Sequence, residues 1–122
     1  MVSILDRYKE LGVDLSPSTL PVIKQCIRIN TLKISIDDLH SRLTNKGVVL
    51  TSILGFNDAF YVDAPFSLSS TVEYLKGYFY IQGLASMLPA RVLLDNGASC
   101  GSRILDMCSA PGSKATHLAQ LS

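Results

Sequence analysis

Apolar positions along the chain switch between helical and strand spacing, and the switches outline its elements. Ile4, Leu5, Tyr8 and Leu11 recur at helical spacing, which predicts a short amphipathic helix over 3–11. Ser16-Pro17 and Leu20-Pro21 break that pattern and predict a lead-in loop. Over 26–32 the period falls to two, with Ile27 and Ile29 on one strand face and Arg28 and Asn30 on the other. Ser35 can cap the next helix, with Asp38 three residues on as a capping-box variant. Ile36, Leu39 and Leu43 are its expected buried side, and Gly47 its terminator at C′. Two more strands are expected over 48–53 and 59–62, joined by a turn at Gly55-Phe56-Asn57-Asp58. Ser70-Thr71-Val72-Glu73 is a second capping-box pattern, for a short helix ending before Gly77, and 78–81 is β-prone. The order β-α-β-β-α-β over 26–81 predicts a compact α+β unit of the split βαβ type.

From about Gly83 the pattern changes. Leu84, Met87, Leu88 and Val92 fit one helix face, with Pro89 as a kink or the true start, and Asp95-Asn96-Gly97 as the end. Residues 103–107 are expected to be a short strand of the kind buried in a parallel sheet. A loop at 108–113 and a helix with Ala115, Leu118 and Ala119 on one side follow. The expected organisation is therefore an α+β unit over 1–81 and the start of a doubly wound α/β domain over 82–122. A lone parallel strand has nothing to pair with, so the second part is expected to need more chain or another molecule.

Composition narrows the classes. Hydrophobic residues are 48% and charged residues 17%, a globular balance. The net charge of +1 gives no global attraction to nucleic acid, so any RNA contact must come from locally placed cations. Cys26, Cys100 and Cys108 are odd in number and lack CxxC spacing. Reduced cytoplasmic thiols are the expectation, with no disulfide framework and no zinc site. The charged N-terminus is no signal peptide, and the longest charge-free run, 77–90, is too short to span a bilayer. His40 and His117 stand on separate predicted helices without companion ligands, so no metal site is expected.

The chemistry concentrates in Asp106-Met107-Cys108-Ser109-Ala110-Pro111-Gly112-Ser113-Lys114. An apolar segment running into a small-residue loop and then a helix lets backbone amides approach an anionic group of a ligand. The dinucleotide fingerprint and the P-loop both fail, because Gly112 is the one glycine here and Lys114 follows Ser113. The segment resembles the cofactor motif of the NOL/NOP/SUN family of RNA 5-methylcytosine methyltransferases, Asp-Met-Cys-Ala-Ala-Pro-Gly-Gly-Lys. Arg28-Ile29-Asn30-Thr31-Leu32-Lys33 resembles that family's N-terminal signature. Pro65-Phe66-Ser67, Glu73-Tyr74-Leu75, Gln82 and Ser86-Met87 resemble residues of its archaeal tRNA-modifying members. The resemblance covers roughly residues 26–121.

The resemblance implies an S-adenosyl-L-methionine (AdoMet)-dependent RNA cytosine-5 methyltransferase, with tRNA as the expected partner and a Rossmann-like methyltransferase domain beginning at 82. It assigns Cys108, Ser109, Ala110, Pro111, Gly112, Ser113 and Lys114 to the cofactor. The family's nucleophilic cysteine attacks C6 of the cytosine, and a second cysteine assists release. Both lie in later motifs, so no catalytic residue is expected within these 122 residues, and the stretch alone is expected to be inactive. The alternatives are a non-catalytic RNA-binding module, or a subunit completed by a separate catalytic chain.

Two departures stand out, Ser109 for Ala and Ser113 for Gly; the second matters if that position needs positive φ. Cys108 at a helix start could be a lowered-pKa thiol, but the resemblance places it in the cofactor loop. Lys114 is either a partner of the AdoMet carboxylate or a solvated first-turn lysine. Asp106 is expected to bind the loop's own amides. Arg28, Asn30 and Lys33 are either RNA-facing or the solvated face of an edge strand.

Overall fold

A computed structural model describes residues 4–13, 24–98 and 101–122. The expected lead-in loop and Cys100 lie outside these residues. Helix α1 (Ile4–Glu10) is close to expectation, but Tyr8 and Leu11 on its apolar side are exposed.

The unit over 25–81 runs β1 (Gln25–Ile29), α2 (Ile36–Thr44), β2 (Val49–Ile53), β3 (Phe56–Asp63), α3 (Val72–Leu75), β4 (Phe79–Ile81), with a 3-10 turn at Leu68–Ser70 before α3. The strands form one antiparallel sheet in the order β2-β3-β1-β4. That element order is the expected split βαβ arrangement. The position of β1 is not: it is an interior strand between β3 and β4 and not an edge. The period-two alternation sends Ile27 and Ile29 to one face, where they are fully buried with Leu39, Leu43, Phe60, Val62 and Phe79. Burying each large aliphatic side chain contributes about 1.5–3 kcal/mol, so this face is the main core.

Local signals set the helix ends. Ser35 Oγ accepts from the Asp38 amide at 3.1 Å, and the same hydroxyl donates to the Asp38 carboxylate at 2.7 Å. At the other end, Gly47 N donates to Thr44 O and Val48 N to Leu43 O. This pair is a Schellman motif with Gly47 at C′, where φ is 82°. The second cap differs by one residue. Thr71, not Ser70, accepts from the Tyr74 amide at 3.2 Å, which frees the Glu73 carboxylate to bind Lys46. The expected turn 55–58 is shorter, Leu54-Gly55, because Phe56, Asn57 and Asp58 belong to β3.

The second sheet face is covered by α4 (Leu84–Asp95) and α5 (Ser113–Leu121), which pack on each other. Cys26, Ile53, Ala59 and Met87 form its small apolar cluster. Helix α4 runs through Pro89 without starting there, and its buried residues are Met87 and Ala90. Leu88 and Val92, expected inward, are exposed. Residues 103–107 form no strand. Leu105 is 83% and Met107 87% exposed, and no strand pairs with them among the described residues. A segment without a neighbour has no ladder to define it. No helix among the described residues is long and apolar enough to cross a membrane.

Candidate functional site

The loop between 106 and 112 is built from both ends. Asp106 Oδ1 accepts from the Cys108 amide at 3.0 Å, the local role expected of that aspartate. At the far end Gly112 has φ 109° and ψ 5°, and α5 begins at Ser113. A Cβ on Gly112 would meet Thr116 Cγ2 at 3.6 Å and Ser109 O at 4.0 Å, ordinary contacts. The glycine is therefore required by its backbone angle and not by lack of space. No described non-glycine residue has positive φ, so the serine at 113 stands in helical backbone and carries no such strain. Cys108, Ser109, Ala110 and Pro111 are exposed, while Gly112, Ser113 and Lys114 are half-buried. The loop therefore combines small, exposed side chains with a left-handed glycine immediately before α5.

Arg28 is the residue whose position departs furthest from expectation. It is 3% exposed, beneath α5 on the second face of the sheet. Its Nε donates to Gln82 Oε1 at 3.1 Å, one terminal nitrogen donates to Gln120 Oε1, and the other donates to Thr116 Oγ1 at 2.9 Å. Tyr80 lies under the guanidinium at 5.9 Å. Burial pulls its pKa below the ordinary value, and Asp58 and then Tyr80 oppose that shift. With its donors committed inside the protein, Arg28 does not form the solvated cationic face expected of an edge strand.

The network continues beyond Arg28. Gln120 Nε2 donates to Asp58 Oδ2 at 2.8 Å, and Arg91 donates to Asp58 Oδ1. Arg91 also lies over the Phe56 ring at 4.6 Å. His117 is fully buried beside these groups, and neither ring nitrogen has a hydrogen-bond partner among the described residues. Its pKa falls to about 4, first through burial and then through the Arg28 charge, with Asp58 opposing and Arg91 assisting. The pairing of Arg28 with Gln82, Thr116 and Gln120 escapes sequence reasoning, because these partners stand 54 to 92 residues away and no local pattern encodes the pairs.

Asn30 and Lys33 are placed differently. Asn30 Nδ2 donates to Gly77 O at 3.0 Å, and its Oδ1 accepts from the Leu32 amide at 3.3 Å. Lys33 is exposed, and its ammonium donates to Lys76 O at 2.9 Å. Both line, together with Arg28, Tyr80, and Thr116 and Ala119 of α5, an open groove of about 310 Å³. Cys26 is buried, which pushes its thiol pKa up; Cys108 is exposed. Among the described residues no group of three or more His, Cys, Asp or Glu could hold a metal.

The chain is 44% identical over 110 residues to ribosomal RNA small subunit methyltransferase F of Shewanella woodyi, a match covering 88% of this chain and 23% of that protein. It is 41% identical over 123 residues to the protein of the same name from Erwinia tasmaniensis, covering 98% and 25%. This chain belongs to the NOL/NOP/SUN family. It spans about a quarter of the length of these relatives of the family. No protein-family model matches it. Among solved structures, a methyltransferase homolog from Pyrococcus horikoshii superposes with a TM-score of 0.73 at 35% identity, over 98% of this chain and 45% of that one. NSun6 from Pyrococcus horikoshii, solved with SFG, shares the fold at a TM-score of 0.73 and 24% identity, over 83% of this chain and 49% of that one. Over 98% of its length, the chain thus shares the fold of a methyltransferase homolog.

Proposed function

We propose that this chain is the RNA-placing unit and the cofactor-loop portion of an AdoMet-dependent RNA cytosine-5 methyltransferase, with the unit over 1–81 and a Rossmann-like methyltransferase domain opening at 82. The observation that carries this is the 106–112 loop: Asp106 folds it back on the Cys108 amide, and Gly112 turns it into α5 with a left-handed backbone. Residues 108–114 then hold AdoMet. The amides at the start of α5 and the Lys114 ammonium favour the methionine carboxylate, and the small side chains of Ser109 and Ala110 keep the approach open. When bound, AdoMet supplies the electrophilic methyl group. Cys108 is a loop residue in this reading and not the nucleophile, so residues 1–122 expressed alone transfer no methyl.

On the RNA side, Lys33 and Asn30 line the groove beside β4 and are the proposed contacts to the backbone. The relatives' names favour small-subunit ribosomal RNA over tRNA as the substrate class.

The test is calorimetric titration of AdoMet into the full-length protein and its Gly112→Val variant. A β-branched residue is strained at a φ of 109°, so binding weakens at least tenfold while the fold persists. Unchanged affinity rejects the loop assignment. Labelled methyl appearing anywhere other than C5 of cytosine rejects the reaction.

A further inference from the structure

The Arg28 network ends at the loop itself. Thr116 Oγ1, which accepts from Arg28 at 2.9 Å, donates onward to the Gly112 carbonyl at 2.7 Å. The same carbonyl accepts the Thr116 amide at 2.9 Å. One polar chain thus runs from the central strand of the antiparallel sheet, through α5, to the glycine that closes the loop. Its donors all point the same way, so each bond polarises the next. Arg28 itself is held from two other directions by Gln82 and Gln120, and Gln82 is anchored in turn by its amide to Ser86 O at 2.9 Å. The far end of the loop has the Asp106–Cys108 bond, while Cys108, Ser109, Ala110 and Pro111 are exposed.

We propose that Arg28 is a positioning residue for the cofactor loop, acting through the Thr116 hydroxyl on the Gly112 carbonyl. This rests on the assignment of 108–114 as that loop. It gives Arg28, which also lines the groove with Asn30 and Lys33, a part in supporting the cofactor loop. The unit that carries the RNA groove and the loop that carries AdoMet then share one buried guanidinium.

Five variants of the full-length protein test this, each read by AdoMet affinity, RNA affinity and melting temperature. Thr116→Val keeps the side-chain shape and removes the hydroxyl. It raises the AdoMet Kd by about five- to tenfold, the scale of one lost hydrogen bond, a larger change than in RNA affinity, and it lowers Tm because one Arg28 N–H loses its acceptor. Thr116→Ser restores binding. Arg28→Lys keeps the charge but cannot span Thr116, Gln120 and Gln82 together, so it raises the AdoMet Kd by more than it changes RNA affinity. The double variant Arg28→Lys with Thr116→Val binds no worse than the weaker single, because both break one chain. Wild-type AdoMet affinity in Thr116→Val overturns the proposal, as do additive losses in the double variant. Loss of RNA affinity with normal AdoMet binding in Arg28→Lys overturns it too. If Arg28→Lys fails to fold, the valine and serine variants decide alone. Gly112→Val separates the two levels: if it leaves AdoMet affinity unchanged, the loop assignment and the strut both fall. If it weakens binding while Thr116→Val does not, only the strut falls.

Discussion

Lys46 Nζ lies 2.5 Å from Glu73 Oε2, joining the turn after α2 to the middle of α3. The glutamate side chain is 6% exposed and the lysine 40%, so the pair stands half in solvent. Its hydrogen bond to Lys46 pulls the Glu73 pKa below the ordinary value; burial opposes this, while Glu73's own backbone amide, the Lys46 charge and Arg42 assist.

A depressed carboxylate pKa gives stability that is complete above the usual glutamate range and lost as pH falls through the folded value. Glu73→Gln therefore costs about 1 kcal/mol at neutral pH, a modest figure because water screens the lysine end. The same change removes part of the acid-unfolding limb below pH ~4.5. Denaturant melts of both proteins from pH 7 to pH 3 check this: curves that stay parallel across that range contradict it.

His117 contributes in a different window. Its folded pKa is about 4 against an ordinary 6.5, so the unfolded chain binds a proton first as pH falls. Stability is complete above pH 6.5 and declines between 6.5 and 4, by on the order of 3 kcal/mol at most. His117→Leu keeps the site filled and has nothing to protonate, so its stability is flatter across that window. The expected observation is a wild-type Tm that falls between pH 6.5 and 4 while the variant's holds. Equal slopes would show that the imidazole is solvated or partnered in the native state.

Lys33 carries the cationic part of the proposed RNA contact. Lys33→Ala in the full-length protein weakens RNA binding and lowers the salt-dependence slope by about one unit, somewhat less for single strands. The loss is similar across RNA sequences, since phosphate contacts position without specifying. Asn30→Ala costs affinity at constant slope because it removes no charge. Filter binding over a salt series distinguishes these outcomes, and wild-type slope and affinity in Lys33→Ala would remove the groove from the RNA path.

Much of the α+β unit is legible in the chain itself, because its signals are local. Ser35 with Asp38, Gly47 at C′ and the Ile27/Ile29 alternation each act within one turn or one strand, and each has its expected structural role. The loop signature at 106–114 is legible for the same reason: Asp106 binds an amide two residues away, and a glycine marks the left-handed turn. The sequence also locates Arg28 on the face opposite the main core.

What covers that face was decided by tertiary structure. Whether β1 lies at an edge or in the interior depends on β4 pairing with it from 50 residues away, and nothing within β1 records that partner. Helix α5 illustrates the same limit. Its apolar residues Ala115, Leu118 and Ala119 predict the buried side, yet the helix is anchored through Thr116 and Gln120, because Arg28 and Asp58 lie beneath it. A buried charge must be partnered wherever it stands, so polar residues turn inward where a hydrophobic pattern would point them out. Alternation and capping depend on neighbours a few residues apart and can be read along the chain. The partners of a buried guanidinium are set by the packing of distant elements, and only the folded molecule brings them together.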